Sequence, residues 1–472
     1  MNFASTDYAI FLVLTYLLFR FVLKGGLVRQ WLLLVASLLF YTWGSGWHLS
    51  LLLYSGLCDF YIAKFIAEAR TQKSKKRWLV LSIVNNLGLL FMFKYLDMFL
   101  GVINDHLWFV GNPLPLTHWL LPIGISLYTF QTMSYSLDVY FKKLKPCSNM
   151  LEYLLYVTFF PHLVAGPILR ANHFIPQIYK VFTFREDLFF QGLFFIFLGL
   201  LKKIWIADTL GLLWVDPVYA HPENYGALDM LLATYAYLLQ VYNDFSGYSD
   251  IAIGSALLFG YVVPINFDAP YRCNNPADFW NRWHISLSTW VRDYVFYPLM
   301  MKGRLKGKVK CNLFITILVI GIWHGANWTF ALFGLHHACI GILHRQCSPL
   351  LLRLKTSWPR LYPKLAWLIY FHLICIGAIM FRAESVAHIG RIFASFWDSM
   401  AITFKPTPWL LTALLVAVLS HFPRASQWET CSKMFAKHSL WLKVIWTWLV
   451  FCLLLWCDHL NQGRAAFIYF RF

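Results

Sequence analysis

The sequence predicts an all-α, polytopic membrane protein, and three observations carry that prediction. Hydrophobic residues make up 59% of the 472-residue chain and charged residues only 13%, more apolar surface than a water-soluble core of that length can bury. Apolar runs recur from end to end, among them YAIFLVLTYLLFRFVL, WLLLVASLLFYTW and WLVLSIVNNLGLLFMF, and about 20 such residues are needed to span a bilayer as a helix. The lysines and arginines behind the formal charge of +18 lie between these runs rather than on one soluble stretch. That placement fits cytoplasmic retention of membrane loops and argues against nucleic-acid binding.

The elements follow in order from the charges. Met1 to Asp7 lacks the basic start of a secretory signal and no small-residue cleavage site follows the first apolar run, so the first helix is expected to be retained. Arg20, Lys24 and Arg29, then Arg70 to Arg77, then Lys142, Lys143 and Lys145 mark cytoplasmic loops. The alternate loops, around Gly44 to Trp47 and from Asp97 to His118, hold no Lys or Arg and are expected outside together with the N-terminus. Further on, Arg345 to Lys364 and Arg424 to Lys443 mark two more cytoplasmic loops, with crossings expected near Ala366 to Phe381 and Trp409 to His421. A last crossing near Val444 to Leu460 delivers the terminal FIYFRF to the outer face, Arg464 and Arg471 weakly opposing. The whole of 1–472 reads as one integral membrane domain ending in a tail, 461–472. Ten cysteines are scattered with no Cys-x-x-Cys pair, which disfavours disulfides and zinc alike.

Three stretches interrupt the apolar pattern with groups that are costly in lipid, and function is sought there. In VYNDFSGYSD, Asn243, Asp244, Ser246 and Asp250 flank Gly247. They read either as a polar loop that turns at Gly247 between two helices, or as a polar wall inside a cavity. DFWNRWHISLSTWVRDYVFYPL mixes aromatic and basic residues, Asn281, Arg282 and His284 among them, and suits a helix lying in the cytoplasmic interface; an imidazole is more than such an anchor needs. GIWHGANWTF lies between two basic runs, so Cys311 to His344 should enter and leave on the cytoplasmic side. That predicts a re-entrant hairpin bent near His324, Gly325 and Asn327. Adjacent His336 and His337 point apart on a helix and no carboxylate lies at ligand spacing, so no metal site is expected.

These stretches, with FFPHLVAGPILR upstream, carry a resemblance. QVYNDFSGYSDIAIGSALLFG, FWNRWHISLSTWVRDYVFYPL and GIWHGANWTF resemble the membrane-bound O-acyltransferase superfamily, and within it the bacterial branch of alginate and peptidoglycan O-acetyltransferase membrane subunits and teichoic-acid D-alanyl transfer proteins. The likeness runs from about Trp31 to the C-terminus. It implies roughly eleven or more membrane helices with re-entrant and interfacial helices, around a central tunnel in which a cytoplasmic donor meets an outer acceptor. It also implies His324 as the catalytic histidine and His284 on the cytoplasmic side of the tunnel, with Asn243, Asp244, Ser246, Asp250, Asn281, Arg282, Trp323 and Asn327 as tunnel or substrate-binding residues. Phe467, Tyr469 and Phe472 match the branch's C-terminal Phe-x-Tyr-x-x-Phe pattern, which carried in cis favours acetyl over D-alanyl transfer.

The chemistry supports that assignment on its own terms. A thioester such as acetyl-CoA, the expected donor substrate, stays in the cytoplasm, and only its acyl group must cross; no bound cofactor is called for. A thiol of pKa about 8.5, a phenol of about 10 and a far more basic sugar alcohol form a graded series for hand-over, and imidazole suits the base that activates the phenol. Tyr469 is then an acyl carrier expected to fold back toward His324, with His284 orienting the donor or assisting proton transfer. The short outer loops hold no sizeable soluble domain, so an extracytoplasmic serine-esterase-like acyltransferase is the expected partner, a cell-envelope polysaccharide the eventual acceptor, membrane lipid the surroundings, and the bacterial cytoplasmic membrane the location. A proton-coupled transporter is the rival class, disfavoured because no paired inverted halves are evident. Direct acylation of a lipid is disfavoured by the outward aromatic tail.

Overall fold

A computed structural model describes residues 3–106, 113–301, 303–398, 400, 402–461, 465, 467 and 468. These residues are overwhelmingly helical, and among them there is no strand. Among the described residues, five helical segments are long and apolar enough to cross a bilayer: Gly26–Glu68, Gln72–His106, Glu186–Ala220, Tyr362–Arg382 and Leu440–Asn461. A sixth candidate is the pair Pro408–His421 and Ala425–Lys437, bent by 100°. Other apolar helices are shorter, such as the 16 residues of Val309–His324. The outward faces are apolar: Trp43 is 70% exposed and Leu449 64%, an arrangement that lipid favours and water would not.

The chain divides into two compact units, Met1–Leu193 with Ile251–Pro264, and Phe194–Asp250 with Ile265–Phe472. In the first, Thr71 caps Gln72–Leu90 by accepting from the Ser74 N–H at 3.2 Å. The Lys73 to Arg77 run in that helix's opening turns opposes the helix dipole, so it does not serve helix stability. The unit's polar core is Asp59, which accepts from Ser82, from Asn86 and from the Ser136 hydroxyl at 2.6 Å. Three donors on one buried carboxylate satisfy a group that lipid could not. His162, in the FFPHLVAGPILR stretch, meets the Gln131 side-chain oxygen through Nε2 at 3.0 Å.

The second unit carries the other polar stretches, and it changes two sequence readings. VYNDFSGYSD is not a loop: it lies inside one 32-residue helix, Ala227–Leu258. Gly247 therefore makes no turn. A Cβ there would come within 2.8 Å of the Gly199 carbonyl oxygen and 3.2 Å of the Lys203 nitrogen, so the glycine allows two backbones to touch. Nor is 278–299 one interfacial helix. It breaks into Pro276–Trp280, Ile285–Val291 and a π-helical turn Arg292–Phe296 running into Tyr297–Met301, because His284 adopts a left-handed conformation at φ 44°. The hairpin reading does hold as geometry: Val309–His324 and Trp328–Gln346 pack against each other around residues 325–327.

Candidate active site

His324 closes the first hairpin helix, where apolar residues give way to Gly325 and the chain turns. Gly321 and Gly334 set the hairpin's closeness, since a Cβ on Gly321 would lie 2.7 Å from the Gly334 nitrogen. Asn327 starts the return helix by accepting from the Thr329 N–H at 3.1 Å, and its amide donates to the Glu384 carbonyl at 2.8 Å. It thus fixes the bend, whatever else it does. His324 is 3% exposed and ringed by Trp323 at 5.0 Å, Phe381 at 4.9 Å and Phe333 at 5.7 Å between ring centres.

His284 also packs on Trp323, their ring centres 5.8 Å apart. It is fully buried, which excludes the role of interface anchor. Asn266 organises it. The Asn266 Oδ1 accepts from the Ser286 N–H at 3.1 Å and the Ser286 hydroxyl at 2.8 Å, and a backbone N–H can only donate, so this atom is the oxygen. The His284 Nδ1, 3.2 Å from the same oxygen, must then carry the proton, leaving a lone pair on Nε2. None of the short helices around it is long enough to cross a bilayer, and burial pushes its pKa down to about 3, so the ring is neutral near pH 7. A neutral imidazole with Nδ1–H anchored can accept a hydrogen bond at Nε2.

A cavity of about 800 Å³ lies within this unit, lined by residues near both histidines in sequence but by neither histidine itself. Thr316, Ile317 and Ile320 line it from the first hairpin helix, and Ile320 precedes His324 by one turn on the same face. Trp280 and Asn281 line it just before His284. Arg292, Lys310, His344 and Arg345 also border it. Such a space has apolar walls for an acyl chain and cations for an anionic headgroup. Arg282, by contrast, is committed to Asp278 at 2.7 Å.

The polar residues of the long helix are drawn into ion pairs. Asp244 and Asp250 lie on either side of Gly247 and share its face, so the close approach at that glycine brings Asp250 to Lys202 at 2.6 Å and Asp244 to Lys203 at 2.7 Å. Lys203 also meets Asp208 at 2.7 Å. Asn243 bonds back to the Leu239 carbonyl at 2.8 Å, and Ser246 is buried beside it. The two lysines and Asn266 escaped the sequence reading. Lys202–Lys203 had a visible signal, two cations inside the apolar run FFIFLGLLKKIWIA; Asn266 had none, being one amide in an irregular segment.

The tail reaches the same neighbourhood as far as it is described. Phe467 packs on Tyr248 with ring centres 4.0 Å apart and on Phe245 at 5.9 Å, and Phe245 in turn meets His284 at 4.8 Å. Tyr469 and Phe472 lie outside the described residues.

The profile of the MBOAT, membrane-bound O-acyltransferase family matches residues 33–385. The chain is 37% identical over 399 residues to a probable alginate O-acetylase, AlgI, of Pseudomonas aeruginosa, covering 84% of this chain and 74% of that protein. It is 33% identical over 401 residues to a peptidoglycan O-acetyltransferase of Helicobacter pylori, covering 79% and 74%. A teichoic acid D-alanyltransferase of Bacillus subtilis is 30% identical over 320 residues, covering 64% and 80%.

Proposed function

The chain belongs to the membrane-bound O-acyltransferase family and is an acyltransferase, and we propose that it passes an acetyl group from a cytoplasmic thioester to a cell-envelope polysaccharide through an ester on Tyr469. The observation that carries this reading is the pair of buried histidines, His284 and His324, that both pack on Trp323, in the unit that also holds a cavity bordered by Arg292, Lys310 and Arg345. Those cations suit the phosphates of a CoA-type or carrier-protein thioester. The donor enters from the cytoplasm and only its acyl group goes further.

In the first step the Tyr469 oxygen attacks the thioester carbonyl while a histidine, His324 in this proposal, takes the phenolic proton. The C–S bond breaks, the thiolate leaves and collects that proton, and the tyrosyl ester forms. His284 holds the reacting end of the donor or relays the proton through its open Nε2. In the second step a hydroxyl nucleophile attacks the ester, on the acceptor itself or on a serine-esterase-like partner, and its proton restores the phenol. Alginate and peptidoglycan, named for the relatives, define the class of acceptor. The D-alanyl relative is the second reading, and the Phe-x-Tyr-x-x-Phe ending within this chain favours acetyl.

The experiment is a comparison of wild type with Tyr469→Phe and His324→Ala at matched membrane abundance. Base-released acetate from envelope polymer should fall to background in both variants. Mass spectrometry of wild type without acceptor partner should find an acetyl group on Tyr469. Full acylation by Tyr469→Phe would sink the relay, and a change in solute uptake instead of ester content would point to a carrier.

A further inference from the structure

The buried cluster of Lys203, Asp208 and Asp244 sets one cation against two carboxylates and also reaches the C-terminal segment. Lys203 forms ion pairs with both carboxylates at 2.7 Å and donates to the Ala465 carbonyl at 3.0 Å. Asp244 faces Lys203 with one oxygen and accepts from the Ile468 N–H at 2.7 Å through the other. The cation and one anion of a single buried cluster thus each hold a backbone group of the C-terminal segment, three residues apart. Just upstream, Asn461 is fixed by the Thr209 hydroxyl at 3.1 Å and donates to the Ile204 carbonyl at 3.2 Å. Phe467, 1% exposed, fills the space between these anchors against Tyr248.

We infer that Lys203, Asp208 and Asp244 form an ionic clamp that fixes the register of the C-terminal segment at Ala465 and Ile468. These are positioning residues, and the inference rests on the reading of Tyr469 as acyl carrier for its consequence, though not for the clamp itself. Recognition runs through main-chain groups, so it sets where the tail stops rather than which side chains it bears. Charge-assisted bonds to buried partners are among the stronger ones available, and the tail takes a donor of the Lys203 ammonium and the second oxygen of Asp244.

A single peptide reads the test. Tryptic cleavage after Arg464 and Arg471 releases residues 465–471, which contain no native cysteine and include Tyr469. In full-length protein carrying Ile468→Cys, which keeps the amide donor, reaction of the introduced thiol with N-ethylmaleimide reports tail release, and an acetyl mass on the same peptide reports the relay. Adding Asp244→Asn should raise the labelling rate roughly ten- to a hundredfold, the range expected for loss of one charged hydrogen bond. An unchanged rate overturns the clamp whatever the activity does. Removing Lys203 strands two carboxylates in an apolar interior and can block insertion, so the second variant leaves the cluster whole: Ile468→Pro deletes the donated N–H and also fixes φ. Envelope acetylation should fall at least roughly tenfold further in Ile468→Pro than in Ile468→Val at equal abundance, and equal acetylation in the two overturns the clamp. Full acetylation by Tyr469→Phe would remove the relay and leave the labelling result standing, so the two readings fail separately.

Discussion

At the scale of single residues, the two histidines differ in how their readiness is built. His284 is oriented by one atom, the Asn266 oxygen, which also holds the Ser286 amide and hydroxyl. Replacing Asn266 by leucine leaves an imidazole N–H and two further donors without their acceptor, at about 1–3 kcal/mol each. Asn266→Leu should therefore lower both acylation and thermal stability in detergent. Asn266→Asp keeps the oxygen but adds a charge beside Nδ1, which favours imidazolium. The wild-type ring, with its pKa pushed down to about 3 by burial, should give a flat acid side to the pH profile between about 5 and 7, where an ordinary histidine titrates near 6.5. In Asn266→Asp an acid limb should appear there in the acylation rate of membrane vesicles. The sign for stability follows the same shift: the unfolded ring takes up a proton below about 6.5 and the native ring only near 3. His284 thus contributes stability that is present above that range and is lost as pH falls through it, a trend that Tm against pH would register.

At the scale of elements, what the sequence revealed and what it hid have the same origin. The hairpin Val309–His324 and Trp328–Gln346 was legible because its ends carry Lys310 and Arg345 and its first half, 16 residues long, is short for a full crossing. The helix Ala227–Leu258 was not. Asn243, Asp244, Ser246 and Gly247 have the local signature of a turn, and only Lys202 and Lys203, some forty residues away in sequence, make helix the better state for them. Tertiary pairing overrode propensity. The break at His284 was hidden for a similar reason, since its left-handed φ is held by the Ile285 N–H donating to the Asn266 carbonyl at 2.9 Å and the Asp268 N–H to the Arg282 carbonyl at 3.0 Å. Glycines test this level directly. Gly321→Ala must force the hairpin helices apart at Gly334, at a cost of about 1–3 kcal/mol, and His324 is one turn away on the displaced helix. Melting temperature and acylation should fall together. Gly101→Ala, on a helix with open space around that position, should instead leave acylation intact and raise stability by about 0.5–1 kcal/mol.

At the scale of the whole molecule, the excess of basic residues acts as a topology signal. Family membership was legible because the polar stretches are few, specific in spacing and set in apolar sequence, while the tail's use of Asp244 could not be read from one dimension. The proposed orientation places both ends of the hairpin in the cytoplasm and the loop after His106 outside. Native Cys311 and Cys347 are exposed and sit beside Lys310 and Arg345, so they report the hairpin without alteration, and Leu116→Cys, at a residue 39% exposed, reports the outer loop. A membrane-impermeant maleimide added to intact cells should label the thiol introduced at position 116 and leave both native cysteines unmodified, as resolved by peptide mapping, and inside-out vesicles should reverse the pattern. The two native sites must behave alike, because a hairpin returns to the face it entered. Labelling of one from each side would make these helices two parts of a crossing and separate His324 from a cytoplasmic donor route. Labelling of both from outside would invert the molecule, set the cationic border of the cavity against the wrong compartment for a CoA-type thioester, and require a different donor.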